Sequence, residues 1–449
     1  MPRQLGQGKS VLLYCKYFCP GVMPTFAPLA NTLCLRLMNI LHTSDWHLGR
    51  TLYGRRRYDE FAAFLDWLAQ VIEDEHIDTL LVAGDVFDSS TPAARAQELY
   101  YRFLYRVARS GCRHTVIIGG NHDSPAFLDA PKDLLKAMQV HVAGHTGAEP
   151  GDDVLVLRNA HDEPELIVCA VPYLRDRDIR LAQAGESIED KERNMVEGIR
   201  GHYAEVGRVA EEKQATILAG QGKRVPIIGM GHLFAAGGAT VEGDGVRELY
   251  VGSLVHVPAS LFPACFDYLA LGHLHAPQLV GKQKTRRYSG SPLPMGFGEA
   301  AQQKIVCIVT LSSGVPQIST RDIPVFRKLA SIKGDWDCIE SALARMAAND
   351  ESCWLEIIYE GEDILGDLRE RLDAAVQGTR LDVVRVRNNR VIERILHQIH
   401  EEESLDELSV NQVFDRCLAG HGVSDEQRPE LLHTYQEALA ALYDATSTQ

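Results

Sequence analysis

Asp45 and His47 stand two positions apart in the stretch LHTSDWHLG, at the end of an apolar run. The pattern recurs. LLVAGD ends at Asp85, VIIGGNHD at Asn121, His122 and Asp123, VPIIGMGH at His232, and FDYLALGHLH at His273 and His275. A single Asp or His after a strand is usually a turn or cap residue. Five junctions that all carry metal-ligating side chains are hard to obtain by coincidence. Asp45, His47, Asp85, Asn121, His232, His273 and His275 give seven ligands. Two divalent cations about 3.5–4 Å apart need about that many if one carboxylate bridges and water completes the set. Asp85 is the expected bridge, because Asp45 already pairs with His47. Imidazole and carboxylate without thiolate suit Mn, Fe or Zn. Such a centre lowers the pKa of a bound water, which then attacks phosphorus in line.

His122 is not needed as a ligand. Next to the metals it is expected to protonate the leaving oxygen, with Asp123 orienting its ring. The plain alternative is that His122 only fills the turn.

Such residues must be delivered by strands. The run MNILHTSDWH, a helical stretch over 59–76, a second apolar run over 78–85, a second helical stretch over 93–111 and a third apolar run over 114–123 form a β-α-β-α-β series. Strands apolar throughout predict a buried sheet covered by helices, an α/β class. Sites in such sheets form beyond the carboxyl ends of the strands. Gly84, Gly120, Gly231 and Gly272 precede four of the five junctions. They allow tight turns and close approach of a substrate. Further strands are expected over 165–174, 225–233, 266–275 and 304–314, and a long solvated helix over 186–214. Composition shifts near 320. A small β-α-β unit over 353–389 marks a second domain, 321–398. Two amphipathic helical stretches, 405–419 and 425–443, follow.

The 449 residues allow two or three domains. No apolar run approaches the ~18–20 residues of a membrane span, so no membrane is expected. Net charge is −15, which argues against binding nucleic acid through global positive charge. It leaves a nuclease open, since a carboxylate-rich site can meet phosphates through its metals. The 10 Cys include no C-x2-C pair, consistent with reduced, scattered thiols. Residues 1–37 contain no Asp or Glu and include Arg3, Lys9, Lys16 and Arg36. We expect translation to start at Met38 and residues 1–37 to be a disordered or non-native extension, which intact mass would check.

The set DWH, GDVFD, GGNHD, GHL and GHLH, in that order, resembles the motifs of the calcineurin-like metallophosphoesterases. The longer matches LHTSDWHLGRTLYG, LLVAGDVFDSSTP, GGNHDSP, DYLALGHLHAPQ and YSGSPLPMGF are similar to the SbcD nuclease subunits of bacterial SbcCD complexes. The resemblance runs from about Met38 to the end of the chain. It implies a β-sandwich flanked by helices (38–320), a small α+β capping domain (321–398) and a helical partner-binding region (399–449). It implies two Mn2+ ions, ATP used by an SMC-like ATPase partner of the SbcC type, and a homodimer within a heterotetramer. The implied activity is 3′–5′ exonuclease on double-stranded DNA ends and hairpin endonuclease, in DNA repair, recombination and replication. The implied location is cytoplasmic and nucleoid-associated. Archaeal and eukaryotic relatives carry His where this chain has Asp88, so Asp88 is expected to do no more than support the ligands from behind or fill the turn.

Arg55, Arg56 and Arg57 follow the first ligand loop and either contact DNA phosphates or form a solvated helix start. KQKTRR (282–287) and RVRNNR (385–390) are further basic clusters. Two other functions compete: a phosphoesterase of the same superfamily acting on cyclic nucleotides or phosphoproteins, and a metal-binding scaffold without catalysis. The length beyond the catalytic part favours a macromolecular substrate. The intact ligand set and His122 argue against the scaffold.

Overall fold

The computed structural model describes residues 37–388 apart from 180–185, 236–256, 313–315, 362–364 and 366, together with Tyr435. The expected extension over 1–37, save Leu37, and the expected helices over 405–419 and 425–443, save Tyr435, lie outside the described residues.

Two six-stranded sheets pack face to face. Six parallel strands frame the site: β1 (Met38–Thr43), β2 (Thr79–Ala83), β3 (His114–Ile118), β4 (Pro164–Ala170), β5 (Ile227–His232) and β6 (Tyr268–Gly272). The first sheet runs Gln317–Asp322, Ile305–Leu311, β1, β2, β3, Val140–Ala143. The second runs Gln278–Val280, Gln283–Tyr288, β6, β5, β4, Val154–Arg158. Within each sheet the labelled strands are parallel neighbours, so their carboxyl ends share one edge.

The period of two along a strand sorts the core. Ile40, Leu81, Ala83, Val116 and Ile118 point inward and meet Val168, Ala170, Ile228, Met230 and Ala270 of the second sheet. Leu41, Leu80, Val82 and Ile117 point outward, under the helices Tyr58–Asp74 and Ala94–Ala108. The helix Ile188–Gln221, longer than expected, covers the second sheet with Ile199, Tyr203, Val206 and Ala210. Strands covered on both faces explain the apolar runs.

Two expectations shift. The strand Gln317–Asp322 pairs with Ile305–Leu311 in the first sheet, so the sandwich extends past the expected boundary at 320. The small domain is larger than the β-α-β unit read from sequence. Lys328–Gly334 and the helix Trp336–Ala348 come first, and the three strands Lys328–Gly334, Cys353–Tyr359 and Leu381–Asn388 are all parallel. A cluster of Leu52, Phe297, Leu329 and Trp354 joins this domain to the sandwich. Among the described residues no helix is long and apolar enough to cross a membrane.

Candidate metal centre

The loops after β1 and β2 continue side by side beyond the sheet. Asp45 N–H donates to the Gly84 carbonyl at 3.0 Å, His47 N–H to Asp85 at 2.9 Å and Leu48 N–H to Val86 at 2.9 Å. Trp46 turns the other way, edge-on to Phe64 and Phe103 in the core. With the intervening indole anchored, Asp45 and His47 both face the site. The geometry requires unusual backbone: φ is 53° at Asp45, 47° at His47, 50° at Asp85 and 105° at His273. L-residues rarely occupy this region, and such strain persists where surrounding structure enforces it.

Glycine is required where the sheets converge. Gly84 has φ 86°, and a Cβ there would land on the His232 ring. A Cβ on Gly272 would strike the Ala83 carbonyl.

All seven expected ligands come together. His47 Nε2 lies 3.2 Å from His275 Nε2. Asp85 Oδ2 is 3.5 Å from His47 Nε2 and 3.4 Å from His232 Nε2, between the two groups. Asn121 Oδ1 meets His232 Nε2 at 3.0 Å and His273 Nδ1 at 3.1 Å. Asp45 Oδ1 accepts the His273 N–H at 2.8 Å. Donor atoms of Asp45, His47 and His275, and of Asp45, Asp85 and His232, lie within 4.8 Å of one another.

The donor set fits divalent cations. His232 Nδ1–H donates to the Ala83 carbonyl at 2.9 Å, which turns the Nε2 lone pair inward. Nδ1 of His47 faces Asp88 at 3.4 Å, and Nδ1 of His275 faces Glu299 at 3.5 Å. Protons held there leave two Nε2 lone pairs opposed at 3.2 Å, an arrangement a cation between them relieves. Ser44 supports Asp45: its hydroxyl donates to Asp45 Oδ2 and meets Ser289 Oγ at 2.9 Å.

Burial opposes charge throughout the cluster. It pushes His47 down to about 4, and it pushes His273 to about 3 with help from His232. Burial would also lower His232, but Asp85 and Asp45 raise it to about 9. Asp85 is held well below the carboxylate range because His232 and His47 overcome the burial penalty. Asp45 is raised, mainly by burial.

Three expectations need correction or refinement. Asp123 does not orient His122. Its buried carboxylate accepts from the backbone N–H groups of Val86, Phe87 and Gly120, tying the β2 and β3 loops together. Burial and the Asp85 charge raise it to about 6. The His122 ring is held by Asp88, whose main-chain carbonyl accepts from Nδ1–H at 3.0 Å. Arg57 is buried, donating to Glu60 at 2.7 Å and to the Pro294 carbonyl at 2.6 Å, so it cannot reach DNA. Arg55 is exposed but pairs with Asp382 of the small domain at 2.7 Å, and Arg56 is exposed. The other basic clusters are also partly engaged: Arg286 bonds the Ala259 carbonyl, and Arg385 lies over the Tyr53 ring. Sequence reasoning missed Glu299, which carries no strand-end signal of its own, whereas Asp88, read as at most a supporting or turn residue, stands behind His47 and His122.

The sequence matches the family described as Calcineurin-like phosphoesterase over residues 38–277, and Type 5 capsule protein repressor C-terminal domain over residues 325–421. It is 35% identical to the SbcD component of the SbcCD nuclease of Escherichia coli (strain K12) over 408 residues, covering 90% of this chain and 98% of that one. The SbcD components from Rhodobacter capsulatus and Bacillus subtilis are 34% and 37% identical. Those matches cover 76% and 62% of this chain, and 84% and 67% of the relatives.

Proposed function

The chain belongs to the calcineurin-like phosphoesterases and, within them, to the SbcD nuclease subunits, and on that premise we propose an ATP-dependent 3′–5′ exonuclease on double-stranded DNA that also cuts hairpins. It is a metal-dependent hydrolase of the nuclease class, and the fold calls for divalent metals. The convergence of seven donor residues from both sheets, with Asp85 between two histidine groups, supports the metal-dependent hydrolase, and the likeness to an SbcD subunit over 98% of its length is what favours DNA as the substrate.

Asp45, His47, Asp85 and His275 would hold one cation, and Asp85, Asn121, His232 and His273 the other, with Mn2+ the expected metal. When bound, the cations supply Lewis acidity at the phosphate and ease ionisation of an attacking water. Asp88 and Glu299 fix imidazole orientation through the ring nitrogens that face them. His122, with Nδ1–H engaged by the Asp88 carbonyl, acts through Nε2: the doubly protonated ring delivers its Nε2 proton to the leaving oxygen and is left neutral. Asp123 keeps the two loops in register.

The partner would be an SbcC-type SMC-like ATPase bound through residues 399–449, around a homodimer of this chain in a heterotetramer. The small domain, from about 323 to 398, would cap the nuclease. A cytoplasmic, nucleoid-associated location follows from that substrate. The test is the purified chain with Mn2+, with and without the ATPase and ATP, on a DNA hairpin and on a small phosphodiester. Hairpin cutting that requires partner and ATP is the expected result. Turnover of the small diester with no DNA cutting under any of these conditions removes the nuclease proposal.

A further inference from the structure

Of the labelled strands β1–β6, five end in the residues described above. β4 is the sixth. It runs parallel to β5, so the segment after Ala170 emerges on the same edge as His232. That segment, VPYLRD, carries no metal-ligating residue at the strand end itself, but it is tied to the β3 loop on both sides of Asn121 and His122. Tyr173 N–H donates to the Gly119 carbonyl at 2.8 Å, and an Arg175 guanidinium N–H donates to the Asp123 carbonyl at 3.3 Å. The Tyr173 ring also stands edge-on to His232. The loop is therefore part of the rim of the metal cluster.

Arg175 is half-buried there, and among the described residues no carboxylate forms an ion pair with it. Arg55, Arg57, Arg113 and Arg385, also near loops or domain junctions, each hold a carboxylate. A guanidinium fork beside a phosphoryl-transfer site, without an internal anion, suits a phosphate oxygen. The scissile phosphate belongs to the metals and His122. The anion left for Arg175 is the next phosphate of the same strand, which a polynucleotide has and a small diester lacks.

We propose that Arg175 clamps the backbone phosphate adjacent to the scissile one and so sets the preference of this site for a polynucleotide. The inference rests on the nuclease reading. It is tested by a cycle between protein and substrate, with Mn2+, the ATPase partner and ATP present. DNA strands carry one uncharged methylphosphonate linkage, walked through the positions flanking the cut. Neutralising one flanking position should cost the wild type about tenfold or more in kcat/KM. Arg175→Ala should lose as much on unmodified DNA and show no further loss at that position, while binding the same amount of Mn2+. Arg175→Lys should recover part of the loss and part of the sensitivity. Equal sensitivity of wild type and Arg175→Ala at every position overturns the clamp, as does a wild type indifferent to all flanking neutral linkages. A wild type that hydrolyses a small diester yet cuts no unmodified DNA removes the nuclease reading and the clamp with it.

Discussion

The carboxylate of Asp88 lies 3.4 Å from Nδ1 of His47, on the face of the ring opposite the metal cluster. Arg50 holds the same carboxylate at 3.1 Å. Burial disfavours the Asp88 charge, yet His47 and Arg50 bring its pKa down to about 2. The residue does two jobs, because its backbone carbonyl also orients His122. Asp88→Ala removes only the first job. Partners of this kind are worth about 10–100-fold in metal affinity. We expect Mn2+ affinity to fall within that range and activity to recover at high Mn2+, read by metal titration. Activity that stays low at saturating metal would show that Asp88 acts elsewhere.

His122→Gln should behave in the opposite way. His122 contacts Asp85 through its backbone N–H at 2.9 Å, and that bond survives the substitution. Both metals should remain, by elemental analysis, while turnover drops by about 10²–10⁴. A diester with a nitrophenol leaving group needs no proton donor, so its hydrolysis should fall far less. Loss of metal would make His122 a ligand.

The strand ends were legible because each ligand follows an apolar run, and parallel topology must bring such ends to one edge. What adjacent residues do was not legible. His122 and Asp123 are neighbours in sequence, yet one faces Asp88 and the other reaches back to three amides of two loops. Arg57 reads as surface in a run of three arginines. The signal against that reading was Glu60, three residues on and within reach on one helical turn. The strand Lys328–Gly334 was hidden because it is an edge strand of the small sheet, half exposed, with lysines at Lys328 and Lys333.

Gly84 and Gly54 separate backbone strain from steric fit. Their φ angles are 86° and 82°, so alanine at either position costs about 1–2 kcal/mol for the left-handed conformation. Nothing lies within 4 Å of a Cβ at Gly54, whereas at Gly84 it meets the His232 ring. Gly54→Ala should lower Tm modestly and keep full metal binding. Gly84→Ala should lower Tm further and weaken Mn2+ binding, since His232 must move. Equal effects of the two substitutions would mean that the ring accommodates the methyl freely.

The charge state of His232 predicts opposite pH trends without and with metal. In the metal-free protein its pKa is about 9, above the ordinary 6.5, because Asp85 and Asp45 overcome the burial penalty. The pairing therefore stabilises the fold fully below pH 6.5, and the contribution is lost as pH rises through about 9. Asp85, held below its ordinary 3.8, contributes above that value and loses its share only in strong acid. A cation must displace the His232 proton, so metal affinity should rise about tenfold per pH unit over this window for one proton released. Scanning calorimetry of the metal-free protein should show Tm falling from pH 6.5 towards 9. The increment in Tm given by fixed Mn2+ should grow over the same range, and His232→Asn should flatten both trends. A Tm increment independent of pH would mean that His232 is already neutral before the metal arrives.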